Sequence, residues 1–219
     1  MKYHLSLIIV IVILSLLSRN EILAGEKTKI VINIPTTTLY LYQGDELIKK
    51  YRITVGRIDA PTPIGNFKVI NKRIKPTWYP PDGRNPIPPG PKNELGTRWI
   101  GIDKPHFGIH GTIKPREIGK ATSDGCVRLK NKDIEELYPL ISLTAPVEIR
   151  YQTIDVKQED GLFKITIYSD IYALGTNTIK RLRKETGLEM DDSFWEDAIK
   201  KAEEKGSYCF TVFSGGKRE

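Results

Sequence analysis

The sequence predicts a mostly β protein with small α content. Short runs of β-branched and aromatic residues, separated by Gly, Pro and Asp turns, recur from residue 27 to about residue 152. One helix-spaced segment interrupts them, and two more follow near the C-terminus. Hydrophobic residues make up 39% and charged residues 28% of the chain, a balance that fits a globular body rather than a disordered one. The 219 residues accommodate one good-sized domain and a small appendage.

Residues 1–24 begin with a basic start, and Leu5 to Leu17 form a 13-residue apolar core. A membrane span needs about 20 residues, so this core reads as a signal peptide with cleavage after Ala24. Ile22 is a poor match to the small residue expected there, so an uncleaved anchor, meeting the membrane only through residues 5–17, stays open. No Cys follows the core, which argues against a lipoprotein anchor. Either reading exports the body to the periplasm or cell envelope.

The stretches "IVINI" and "LYLY", the turn "QGDE" and the alternating "YRITV" predict antiparallel strands opening the mature protein. "DAPTPIG" reads as a turn before the strand "NFKVINK". Residues 75–98 hold seven prolines in 24 positions. Proline fixes φ and lacks a ladder donor, so this is a long ordered loop rather than sheet, and loops of that length in compact domains usually serve function. "WIGI" and "HFGIHG" return to strand. Ile134, Leu137, Tyr138 and Ile141 fall at helical spacing, with Asn131 or Asp133 as the expected cap. "APVEIRY" closes a unit spanning 27–152. Residues 153–219 form a C-terminal extension of unassigned role: a hairpin with Asp160-Gly161 at its turn, helices near 176–186 and 191–205, and the strand "YCFTVF".

The net charge is +7, and +6 without residues 1–24. Such a surface suits polyanionic surroundings. No Lys/Arg stripe with interleaved aromatics is present, so nucleic acid is not an expected partner.

Two cysteines allow a single pairing. In an exported chain one reading is a Cys126–Cys209 disulfide. The other is a free, reactive Cys126 with Cys209 buried in its apolar run as a small hydrophobe. Local sequence leaves both open. A thiolate is the reactive form of cysteine, and a neighbouring imidazole can take its proton. His4 lies in the targeting segment, which leaves His106 and His110. Both are expected on one face of one strand, about 13 Å apart, so only one reaches a given thiol. His110 is preferred because Gly111 lets another backbone approach, and His106 reads as a structural or rim residue. Backbone N–H groups around Gly125 and Cys126 can face an oxyanion, and Ser123 can order the same loop. Arg128 can bind a substrate carboxylate or brace the loop by an internal ion pair. A His-x3-His pair with Cys126 would chelate on a helix, but Pro105, Gly108 and Gly111 argue against one. No metal or cofactor is expected. Trp78, Tyr79 and Trp99 read as packing residues.

With "HGT" at 110–112, "IG" at 118–119 and "SDGCVRL" at 123–129, sixteen positions from His to Cys, the sequence resembles the L,D-transpeptidases with a YkuD-like catalytic domain. "TVGRIDAPTPIGNFKV", "PTWYPP" and "IPPGPKNELG" extend the likeness to a bacterial-envelope subgroup, over about residues 29–150. The resemblance implies a β-sandwich-like fold with its site in a cleft. It implies Cys126 as nucleophile, His110 as base, the Gly111 carbonyl as the imidazole's orienting partner, and backbone at Gly125 and Cys126 as oxyanion hole. The implied reaction forms a thioester on peptidoglycan stem peptides and transfers the acyl group to an amine, either of a second stem, of a wall-attached protein or of a D-amino acid. Transfer to water, as in an L,D-carboxypeptidase, and an inert wall-binding module are the alternatives. Many members carry His where this chain has Asp124, and a carboxylate there disfavours a thiolate two positions on.

Overall fold

The computed structural model describes residues 27–159 and 161–213. The expected signal segment 1–24 and Asp160 lie outside the described residues. Three strands open the body, β1 (Thr28–Asn33), β2 (Thr38–Gln43) and β3 (Glu46–Arg52). They pair antiparallel in sequence, as the alternation in this region predicts. A short β4 (Val55–Gly56) leads into a turn and then β5 (Gly65–Ile74). After the proline-rich loop come β6 (Arg98–Ile102), β7 (Gly108–His110), β8 (Ala121–Ser123) and β9 (Val127–Arg128). Helix α1 (Asn131–Leu140) precedes β10 (Pro146–Arg150).

Eight of these strands form one sheet in the order β3-β2-β1-β10-β5-β6-β7-β9, and β4 pairs with β8 beside it. The ten-residue β5 belongs to both halves, pairing with β10 at its start and β6 at its end. Its register shifts between Val69 and Asn71. Such an irregularity bends a strand, and the sheet curls round a core. Ile30 and Ile32 of β1, Ile100 of β6 and Leu137 of α1 are fully buried there. Each contributes about 1.5–3 kcal/mol of hydrophobic stabilisation.

Helix α1 begins one residue after Lys130, which supplies no side-chain cap. The expected Asn131 cap is not formed. Its amide oxygen instead accepts from the Thr97 and Thr112 N–H groups at 3.3 and 3.1 Å, because two glycine backbones lie close enough to bring those donors in. Asp133 is likewise not the N-cap.

The C-terminal extension is a three-stranded antiparallel sheet, β11 (Ile154–Glu159), β12 (Leu162–Tyr168) and β13 (Ser207–Phe213), in sequence order. Helices α2 (Ile179–Thr186) and α3 (Asp192–Lys205) pack on one face of it around the fully buried Trp195. Helix α2 starts later than residue 176 because Thr178 caps it, accepting from the Arg181 N–H at 3.2 Å. Among the described residues no helix is long and apolar enough to cross a membrane.

Candidate active site

Strand pairing places three polar side chains on one face. His110 of β7 stands opposite Arg128 of β9 in a parallel pair, and opposite Trp99 of β6 in an antiparallel one. Side chains alternate along a strand, so residues in register share a face, and those two positions apart share it too. Cys126, just before β9, lines the same cleft as His110 and Arg128. Trp99 stacks on the His110 ring, centroids 5.7 Å apart, and donates from Nε1 to Asn71 Oδ1 at 2.9 Å. This face is the floor of a cleft of about 840 Å³, whose wall is the proline-rich loop at Pro76, Trp78, Tyr79 and Leu95.

The loop keeps that wall without regular structure. Asn93 is fully buried and donates to the carbonyls of Pro76, Ile87 and Pro88, while its Oδ1 accepts from the Leu95 N–H. Trp78 and Ile87 exchange two backbone hydrogen bonds across it. Trp78, Tyr79 and Trp99, expected as packing residues, all line the cleft, and Tyr79 is exposed.

His110 is buried, and its Nδ1 lies 2.7 Å from the Gly111 carbonyl oxygen. A carbonyl only accepts, so Nδ1 carries the proton and Nε2 the lone pair. Burial holds the imidazole pKa down at about 4; Arg128 adds to that, and the Gly111 and Leu95 carbonyls oppose it. The ring is thus a neutral base at pH 7. The Cys126 thiol is pushed up from its usual range by burial and slightly by Asp124, against the Gly108 N–H and Arg128, which favour the thiolate. The resting pair is thiol and neutral imidazole.

In this structure the thiol donates to the His106 carbonyl oxygen at 3.4 Å. The expectation that His106 shares a strand with His110 is corrected: β7 begins at Gly108, and His106 lies in a turn at φ 67°. Pro105 cannot continue the β6–β7 ladder, and the chain turns through Phe107 N–H to Lys104 O.

The cysteine loop is braced from within. Ser123 Oγ donates to the Cys126 carbonyl at 2.5 Å and accepts from the Gly125 N–H at 3.2 Å. That Gly125 donor is thus engaged in the resting loop. Asp124 pairs with Arg57, which also holds Asp59 at 2.6 Å, so a guanidinium outside the cleft floor partly offsets its charge. Arg128 forms an ion pair with Glu117 at 2.6 Å and is largely buried, which is the internal brace of the two roles open to it; it also lines the cleft.

Both cysteines are free. Cys209 is exposed, not a core residue: β13 alternates, with Tyr208, Phe210 and Val212 turned to the helices and Cys209 turned out. Native protein is expected to titrate two thiols with an aromatic disulfide reagent, Cys209 faster than Cys126. A single reactive thiol, or none, would contradict that arrangement.

A family model for the L,D-transpeptidase catalytic domain, YkuD, matches residues 27–149, more than half of the chain. The chain belongs to the L,D-transpeptidase family. It is 40% identical over 113 residues to a Bacillus licheniformis protein named as the L,D-transpeptidase YkuD, a match covering 52% of this chain and 59% of that one. A Bacillus subtilis protein named as the L,D-transpeptidase YqjB is 31% identical over 125 residues, 55% of this chain and 69% of the relative. The chain thus spans about 59% of the length of the YkuD proteins it matches. Among solved structures, the Ldtfm-avibactam carbamoyl enzyme shares the fold at TM-score 0.50 and 24% identity, over 58% of this chain and 50% of that one.

Within this L,D-transpeptidase domain, several positioning residues are invisible to sequence spacing. Asn131 sits where a Cβ on either Gly96 or Gly111 would come within 2.2 Å of its Oδ1, so those two glycines admit the amide that holds the His110–Thr112 turn. Asn93 and the His106 carbonyl act through hydrogen bonds to or from backbone. The "SDGCVRL" stretch marked the loop; its partners carry no local signal. The match ends inside β10, and everything from β11 onward lies outside it.

Proposed function

We propose that the chain is an exported, cysteine-dependent L,D-transpeptidase acting on peptidoglycan stem peptides. The observation that carries this reading is a neutral, tautomer-fixed imidazole on the same cleft-facing surface as an unbridged cysteine, within a domain of this family. For reaction, the Cys126 thiol leaves the His106 carbonyl and takes His110 Nε2 as its acceptor. Nε2 takes the proton as sulfur attacks the carbonyl of the L-configured residue in a stem tetrapeptide. The C–N bond to the terminal D-Ala then breaks, and the imidazolium returns the proton to the leaving amine. An acceptor amine attacks the resulting thioester, His110 receives its proton, and the thiol is restored.

The oxyanion forms beside the N–H of Cys126 and the neighbouring loop backbone. Arg128, already paired with Glu117, lends positive charge to the cleft floor and orients a substrate carboxylate. Export follows from the reading of residues 1–24 and suits a wall substrate.

Incubation with a disaccharide tetrapeptide, with and without an acceptor amine, is the direct test. The expected product is a new amide at the L-centre with release of D-Ala, seen by mass. Release of D-Ala without amide, even with amine present, would make the protein a carboxypeptidase. Neither product, together with no covalent carbapenem adduct at Cys126, would overturn the enzymatic reading.

A further inference from the structure

We propose that the C-terminal extension is a working part of the active site, with Tyr172 positioning the loop that carries Cys126. Tyr172 lies outside the family-matched residues, in the turn after β12. Its ring is nevertheless buried in the core of the catalytic unit. Its hydroxyl donates to the Gly56 carbonyl at 2.9 Å and accepts from the Thr62 N–H at 3.1 Å. One hydroxyl thus ties both ends of the strap 56–62. Thr62 completes the connection: its Oγ1 accepts from the Gly56 N–H and donates to the Gly125 carbonyl, both at 2.8 Å. Gly125 directly precedes the nucleophile. The strap meets the same loop again through the Arg57 N–H to Ser123 O at 2.9 Å and through the Arg57–Asp124 ion pair.

Tyr172 is itself held by Tyr151, at the end of the catalytic unit, and through it by the extension. It stacks on Tyr151 at 5.5 Å, and its N–H donates to the Tyr151 hydroxyl at 2.8 Å. That hydroxyl donates to Asp170 Oδ1 at 2.7 Å. The Asp170 carboxylate also gathers the Leu174 and Thr176 N–H groups. Glu203 of α3 accepts from the Asp170 N–H and the Ser169 hydroxyl, tying the turn to the last helix. A continuous set of hydrogen bonds therefore runs from α3 to the turn, through Tyr172 to the strap, and from Thr62 to the cysteine loop. A unit that merely covered a sheet edge would need apolar contact and no hydroxyl aimed between two backbone groups of the strap. Thr62 and Tyr172 are buried, where an unmade hydrogen bond is costly. Removal of either hydroxyl is relieved by movement of the strap and, with it, the loop.

The test is Tyr172→Phe and Thr62→Val, singly and together, in the full chain. Each keeps its apolar bulk. The readout is the pH profile of Cys126 alkylation by iodoacetamide, followed by peptide mapping so that Cys209 is scored separately. This reaction reads the exposure and ionisation of the thiol and needs no peptidoglycan substrate, so its outcome is independent of the transpeptidase reading. The Cys126 rate is expected to change about tenfold in each single variant, with a displaced profile. The double variant is expected to show no more than either single one, because both act along one route. Cys209 is expected to react at the parent rate, and Thr62→Ser, which keeps the hydroxyl, to restore the parent profile. Parental Cys126 profiles in Tyr172→Phe, even with a lowered melting temperature, would reduce Tyr172 to a structural residue and overturn the proposal. Multiplying effects in the double variant would place the two residues on separate routes and overturn the relay.

Discussion

His110→Ala is expected to slow acylation of Cys126 by a carbapenem about 10²–10⁴-fold at pH 7. The size follows from the resting protonation states. The thiol is pushed up by burial, so almost no thiolate exists before substrate arrives. The imidazole, held at about 4, is free to accept a proton over the whole neutral range. The parent rate is therefore expected to be flat across neutral pH and to fall only toward pH 4. Without the ring, thiolate forms only by loss of the proton to solvent. The variant's rate then climbs about tenfold per pH unit through the same range, where the parent's does not. Adduct formation followed by intact mass from pH 4 to 9 checks both slopes. A variant within threefold of the parent at pH 7 would remove His110 from the role of base.

The same low pKa has a stability consequence of definite sign. The unfolded chain binds the imidazole proton near 6.5, and the folded chain refuses it until about 4. The contribution is fully present above 6.5 and is lost as pH falls through that window, by about 3 kcal/mol at roughly 1.4 kcal/mol per pH unit. His110→Ala is expected to flatten this part of the acid limb in denaturant titrations.

Gly125→Ala carries the second large effect. Gly125 holds φ at +103°, a conformation that an L side chain rarely adopts. An added Cβ would also lie 2.6 Å from the Phe107 ring and 3.3 Å from the Pro61 carbonyl oxygen. Backbone strain of this type costs about 1–3 kcal/mol. The loop relieves it by shifting, and the next residue is the nucleophile. A displacement near 1 Å at a reacting atom lowers rate about 10²-fold. Acylation is expected to fall by that factor, with a lowered denaturant midpoint. A lowered midpoint with an unchanged rate would separate loop position from thiol reactivity.

Much of the fold is legible in local pattern. Alternation in "LYLY" and "YRITV" yields antiparallel β2 and β3, and the 3.6-residue spacing of Ile134 and Leu137 yields the buried face of α1. Where local pattern failed, a partner distant in sequence decided. Asn131 looked like a cap and became the amide that holds Thr97 and Thr112, because Gly96 and Gly111 meet there. "YCFTVF" looked uniformly apolar, but helices α2 and α3 cover only one face of β13, so Cys209 points out. His106 looked like a strand neighbour of His110 and contributes a backbone carbonyl from a turn.

The amino-acid sequence alone determined the residue types of the site and their order, His110 and Gly111 and then Ser123 through Arg128, because those signals are local and closely spaced. Only the tertiary structure decided that the imidazole is neutral, that Arg128 is already paired and that Tyr172 holds the strap from which Thr62 reaches the cysteine loop. Each of these depends on burial or on a contact between separate segments of the chain, and neither quantity is written in the spacing of a chain.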